Sequence, residues 1–133
     1  MPEERHIVIN NDLDIVAARV EGRSLAKEMG FGIIDQARIA TAISELARNV
    51  VLYARSGQVT LRQTDTNGRV GIEILCEDRG QGIADVDEVM RGGHATSHGG
   101  EMGLRGTRRL MDEFEIKSQV GLGTTIVVRK WLP

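Results

Sequence analysis

Asp35-Gln36-Ala37-Arg38-Ile39-Ala40-Thr41-Ala42-Ile43-Ser44-Glu45-Leu46-Ala47-Arg48-Asn49-Val50 is the stretch from which the rest of the chain can be ordered. Ile39, Ala42, Ile43, Leu46 and Val50 recur at intervals of three and four, the spacing that stacks side chains on one side of an α-helix. Asp35 stands where an N-cap would, so the pattern predicts a helix from Asp35 to about Tyr53 with one buried stripe. Glu45 and Asn49 lie four apart and project together, about a quarter turn from that stripe, at the edge of the core. A carboxylate there can take a proton from a hydroxyl nucleophile. An amide oxygen one turn on can ligate Mg²⁺, which prefers hard oxygen donors and keeps several waters. In isolation, Glu and Asn at such positions are more often simply a solvated helix flank.

Upstream of this helix, His6 to Ile9 reads as a short strand. Asp12 or Asp14 then caps a first helix reaching about Met29, with Ile15, Val16, Val20, Leu25 and Met29 as its apolar face and Gly30 and Gly32 ending it. Downstream, Val59 to Thr64 and Val70 to Glu77 alternate at period two. Asn67-Gly68 between them is a hairpin turn, because both residues tolerate positive φ. From Gly80 to Gly106 the chain carries eight glycines, so this part is mostly loop, broken by a short helix near Asp85 to Met90 and followed by another from Leu104 to about Met111. Phe114 to Gln119 and Thr124 to Lys130 close the chain as a second hairpin, turning through Gly121-Leu122-Gly123. No repeat or linker interrupts the order. The expectation is a single domain over residues 1–133: an α+β two-layer sandwich, its sheet mostly antiparallel (mixed), with helices on one face.

A chain of 133 residues can bury one core but not two. Its 41% apolar and 27% charged residues are ordinary for a globular protein, and the 3% aromatic content makes the core aliphatic. A net charge of −2 supplies no basic field for phosphodiester backbones or anionic lipid, so neither nucleic acid nor membrane is expected as a partner, which leaves another protein. The N-terminus lacks a basic start followed by an apolar core, and no run approaches a membrane span, which points to a cytoplasmic protein. The single cysteine, Cys76, lies in an alternating apolar stretch and reads as a small core residue of a reducing compartment.

Three further clusters carry chemistry. Glu77-Asp78-Arg79-Gly80-Gln81-Gly82 ends a strand in acid and continues with alternate glycines. The carboxylate can accept from an exocyclic amine while the glycines let backbone approach a flat base, although an ordinary turn explains the same letters. His98-Gly99-Gly100-Glu101-Met102-Gly103-Leu104-Arg105-Gly106 leads into a helix, whose amide groups and positive end can meet phosphate. It is neither a P-loop nor a dinucleotide fingerprint, since no glycine-lysine-serine or glycine-lysine-threonine and no strand–turn–helix accompany it. Gly123-Thr124-Thr125 opens the last strand, where a threonine hydroxyl can reach a base edge directly or through water, or simply begin a hairpin.

In this order, the helix pair, the acidic glycine loop, the glycine-rich helix entry and the closing glycine-threonine run resemble the boxes of the GHKL superfamily of ATPases and kinases, with its Bergerat ATP-binding fold. The resemblance covers nearly the whole chain. Within that superfamily it is most similar to the RsbT family of stressosome switch serine/threonine kinases, through Asp14-Ile15-Val16-Ala17-Ala18-Arg19, Asp35-Gln36-Ala37-Arg38-Ile39, Ile43 to Asn49, Arg109-Leu110-Met111-Asp112-Glu113-Phe114 and Gly123-Thr124-Thr125-Ile126.

The resemblance implies ATP and Mg²⁺, with Glu45 as general base and Asn49 as the metal ligand. It implies that Asp78 holds the adenine amino group, Gly80 and Gly82 border the base, Gly103, Leu104, Arg105 and Gly106 meet the phosphates, and Thr125 returns to the adenine side. A mobile lid would run from about Gly92 to Gly100. Glu101 departs from the pattern, standing where kinases of the family commonly carry glycine. His94 and His98 are four apart, but the flanking glycines argue against a helical metal pair, and Arg108 and Arg109 read as a solvated helix face. The chain has no room for the phosphoacceptor domain of a two-component kinase or the additional domains of gyrase-like ATPases. The implied function is therefore phosphotransfer to STAS-domain scaffold or antagonist proteins of a stressosome, with a downstream output protein as a second partner. The rival expectation is an anti-sigma factor or partner-switching binder with ATP as a structural ligand.

Overall fold

The first helix does not begin as the sequence suggests. In the computed structural model, which describes residues 4–90 and 103–133, strand β1 (Glu4–Ile9) runs into helix α1 (Asp12–Met29) through Asn11. The Asn11 side chain accepts from the Asp14 amide, and the Asp14 carboxylate accepts in return from the Asn11 and Asn10 amides. Asn11 is thus the cap, and Asp14 completes the reciprocal box three residues on. Gly30 closes the helix in the left-handed conformation, its amide reaching back to the Ala26 and Lys27 carbonyls.

The buried face of α1 also differs. Ile15, Ala18, Gly22, Leu25 and Ala26 are buried, whereas Val16 and Val20 are 43% and 57% exposed. Counting large apolar residues missed the row Ala18, Gly22 and Ala26. Side chains that small let α1 lie close against helix α2 (Ile33–Tyr53), and close packing rather than side-chain size selects the inward face. At the start of α2, Gly32 occupies the cap position without a side-chain bond, and Asp35 sits in the first turn, bonded to Arg38 at 3.0 Å. The expected stripe of α2 is buried in full: Ile39, Ala42, Ile43, Leu46 and Val50 are each at most 1% exposed.

Strands β2 (Gly57–Thr66) and β3 (Arg69–Asp78) are joined by Asn67-Gly68, both with positive φ, and pair from Thr66 with Arg69 back to Gly57 with Asp78. Two short helices follow, α3 (Val86–Met90) and α4 (Gly103–Leu110), then β4 (Glu113–Gln119) and β5 (Gly123–Trp131). Among the described residues five strands lie in the order β1-β2-β3-β5-β4, and every neighbouring pair of them is antiparallel.

Alternate residues of each strand face the helices. Val59 and Leu61, Ile72 and Ile74, and Ile126 and Val128 meet Leu25, Ile43 and Leu46 in an aliphatic core. On the other face Glu4, Arg62, Glu73, Arg129 and Glu113 stand side by side across all five strands in alternating charge. Successive ion pairs of 3.4, 3.3, 2.8 and 3.0 Å link them. Opposite charges in one cross-strand row favour this register and keep the uncovered face polar. No helix of the described residues is long and apolar enough to cross a membrane.

Candidate functional site

Where α2, the end of β3, the start of α4 and the β4–β5 hairpin meet, the fold leaves a cleft of about 440 Å³, a size typical of small-molecule sites. Helix α2 contributes Glu45, Arg48, Asn49, Leu52 and Tyr53, one helical face displaced from the core stripe. Asp78 enters from the end of β3, Gln81 to Asp85 form one wall, Gly103, Leu104 and Arg105 come from the first turn of α4, and Val120 and Thr124 come from the hairpin. Four segments far apart in sequence therefore share one concavity.

Asp78 is anchored on one side. Its Oδ1 accepts from the Gly80 amide at 2.9 Å and from the Thr124 amide at 3.3 Å, while Oδ2 has no hydrogen bond among the described residues. Two fixed donors set the carboxylate plane and leave one oxygen as an acceptor for a ligand. The wall beyond Asp78 is stitched to the hairpin: the Gly121 amide donates to the Gln81 carbonyl at 2.9 Å and the Ile83 amide to Ser118 Oγ at 2.7 Å. Ser118 Oγ also lies 2.7 Å from Thr124 Oγ1. Gly82 (φ 77°) and Gly123 (φ 124°) make this closeness possible, because a Cβ would overlap the Gln119 carbonyl at the first and the Asp78 carbonyl at the second.

Glu45 is nearly covered, its side chain 12% exposed, and its Oε1 accepts from Arg48 Nη1 at 2.7 Å. Asn49, half-buried, makes no side-chain hydrogen bond among the described residues, so its amide oxygen is open to a ligand. Nowhere among the described residues do three His, Cys, Asp or Glu side chains gather as a metal-binding group. A lone amide oxygen suits Mg²⁺ held mainly by phosphate oxygens and water, and does not make a structural zinc site. Gly103, Leu104 and Arg105 line the cleft from the first turn of α4, the end at which the helix dipole is positive.

Of the residues singled out in the sequence, Glu45, Asn49, Asp78, Gly82, Gly103, Leu104 and Arg105 line the cleft together. Gly80, Gly106 and Thr125 do not. Gly80 holds Asp78 with its amide and presses against Ala54, leaving no room for a side chain. Gly106 is buried a turn inside α4. Thr125 faces the opposite side of the sheet, paired with Glu77 and Lys117, and Thr124 lines the cleft instead. Strand parity carried that signal, since Thr124 shares the inward face of Ile126 and Val128. Arg48 escaped notice because charge at a helix flank is unremarkable until its partner is seen. The stretch from Gly92 to Gly100, His94, His98 and Glu101 lie outside the described residues.

Cys76 takes no part. Burial, followed by the charges of Asp78 and Glu77, pushes its thiol up to about 12, and Sγ–H points at the Leu46 carbonyl at 3.7 Å. It stays a neutral core group.

Comparison with known proteins bears on the whole chain. Residues 10–130 match the model of the histidine kinase-like ATPase domain. The chain is 52% identical over 132 residues to the serine/threonine-protein kinase RsbT of Bacillus subtilis strain 168, covering 99% of each. An anti-sigma F factor of Caldanaerobacter subterraneus subsp. tengcongensis is 31% identical over 121 residues, covering 86% of this chain and 83% of that protein. Among solved structures, the RsbU and RsbW domains of a Mycobacterium tuberculosis protein superpose with a TM-score of 0.65 at 22% identity, covering all of this chain and 33% of that one, a likeness of fold.

Proposed function

The chain belongs to the histidine kinase-like ATPase domain family and, within it, to the RsbT serine/threonine kinases; on that premise we propose that it moves the γ-phosphoryl group of ATP onto serine or threonine hydroxyls of STAS-domain partners. It is a protein serine/threonine kinase of a stressosome-type partner-switching pathway. Release from the phosphorylated scaffold frees it, in this reading, to engage a downstream output protein in the cytoplasm.

The observation that carries the reading is the cleft, whose lining brings together an open acceptor on Asp78, the carboxylate of Glu45, the amide of Asn49 and the first turn of α4. Asp78 Oδ2 accepts from the adenine amino group, and Thr124 stands beside it as a second polar contact. The amides of Gly103 to Arg105 bond phosphate oxygens and are already oriented, so they cost no reorganisation as charge develops. Asn49 would hold Mg²⁺ from the protein side, and the ion would supply neutralisation of charge on the transferring phosphoryl group. Glu45, with one oxygen occupied by Arg48, uses the other to take the proton of the acceptor hydroxyl.

Incubation of the purified protein with labelled ATP, Mg²⁺ and candidate STAS proteins tests this directly. Label recovered on serine or threonine is the expected result, and complete absence of transfer overturns it. The likeness to anti-sigma F factors favours a second reading, in which the protein acts by binding its partners with ATP as a structural ligand. A stable complex carrying no label would select that reading.

A further inference from the structure

We propose that Arg48 is a positioning residue for Glu45, holding its carboxylate in the orientation that accepts the hydroxyl proton and shielding it from the triphosphate. The inference rests on the kinase reading above. Arg48 lies three residues after Glu45 on α2, both line the cleft, and Nη1 donates to Oε1 at 2.7 Å. The pair is asymmetric: the Glu45 side chain is 12% exposed and that of Arg48 42%. A largely covered carboxylate therefore has one oxygen tied to a guanidinium whose remaining N–H groups are open to solvent.

Two physical needs meet in this arrangement. A general base must aim one lone pair at the substrate hydroxyl, and a side chain with several rotatable bonds does so only when a second contact fixes the rotamer. Glu45 also has to stay beside a polyanion. In a partly dehydrated cleft a bare carboxylate and a triphosphate repel each other strongly, and a cation bonded to the carboxylate cancels most of that repulsion. Arg48 is the cation bonded to Glu45, and Glu45 its only ion-pair partner among the described residues. A half-exposed pair one turn apart on a helix adds little to stability, so its value lies in the site and not in the fold.

Five proteins separate the outcomes: the wild type, Arg48→Ala, Arg48→Lys, Glu45→Ala and the double variant Glu45→Ala/Arg48→Ala that completes the cycle. Phosphotransfer to a STAS acceptor and nucleotide affinity are measured for each. Arg48→Ala is expected to lower kcat about 10- to 100-fold, the scale of a misaligned catalytic group, and to weaken ATP affinity about three- to tenfold, because Glu45 then faces the triphosphate unshielded. Arg48→Lys keeps the charge and recovers part of the rate. In the Glu45→Ala background, loss of Arg48 has no further effect. Full activity in Arg48→Ala, a loss residing in ATP affinity alone with kcat unchanged, or an equal loss with Glu45 already absent each overturns the proposal while leaving the kinase reading intact. A wild type that transfers nothing, or an active Glu45→Ala, brings down both. Alanine is a good helix former at this half-exposed position, and an unshifted melting temperature in Arg48→Ala confirms that the rate reports on the site.

Discussion

Asp78→Asn isolates a single atom of the cleft. In the structure Asp78 Oδ1 accepts the Gly80 and Thr124 amides, at 2.9 and 3.3 Å, and these bonds tie the wall to the hairpin. Asparagine can keep both, because its one carbonyl oxygen must turn toward the two backbone donors; the reverse orientation would set N–H against N–H. The amide NH₂ then replaces Oδ2, so the adenine amino group meets a donor where it needs an acceptor. The change removes one hydrogen bond to a charged group and adds a mismatch, together about 1.5–3 kcal/mol, which corresponds to a loss of about 10- to 150-fold in ATP affinity. Titration calorimetry in Mg²⁺ buffer reads the affinity, and thermal melting reads the fold, which should stay close to wild type. An ATP Kd within about twofold of wild type would mean that the adenine does not rest on Asp78.

Glu45→Ala should lower phosphotransfer by about 10² or more while the protein still binds ATP, as expected for loss of a general base; unimpaired transfer would remove Glu45 from that role. Gly123→Ala forces a side chain into a left-handed position against the Asp78 carbonyl. It should lower stability by about 1–3 kcal/mol, measured by urea unfolding, and an unchanged midpoint would show that the hairpin shifts freely. Cys76, with its thiol pushed up to about 12 from an ordinary value of 9.0, should resist alkylation at pH 8 until denaturant is added. Because the raised value favours the protonated form in the folded state, its contribution to stability is complete below about pH 9 and lost as pH rises toward 12. Rapid labelling of the native protein at pH 8 would contradict the burial.

The α+β order of elements could be read from the sequence because it rests on local rules: period-two alternation in the strands, the stripe from Ile39 to Val50, and Asn67-Gly68 at a turn that demands positive φ. The same local reading failed on the first helix. Val16 and Val20 look like core when only hydrophobicity is counted, yet the face that packs is chosen by how closely α2 can approach, and Ala18, Gly22 and Ala26 allow the shorter distance. Caps were misassigned by one to three residues for a related reason, since Asn11 and Gly32 are decided by where the chain enters each helix.

Residue types by themselves determined that a carboxylate, an amide, an acidic strand end and glycine-rich turns were present in an order that resembles one family of nucleotide-binding kinases. Only the tertiary structure decided which of them share a cleft. It set Thr124 and not Thr125 toward the site, made Gly80 a support for Asp78, and bonded Arg48 to Glu45. The reason is that composition and spacing act along the chain, within a few residues, whereas a site is made across it. The side of a sheet on which a hydroxyl emerges, and the partner a guanidinium finds, are settled when α2, β3, α4 and the last hairpin close on one another.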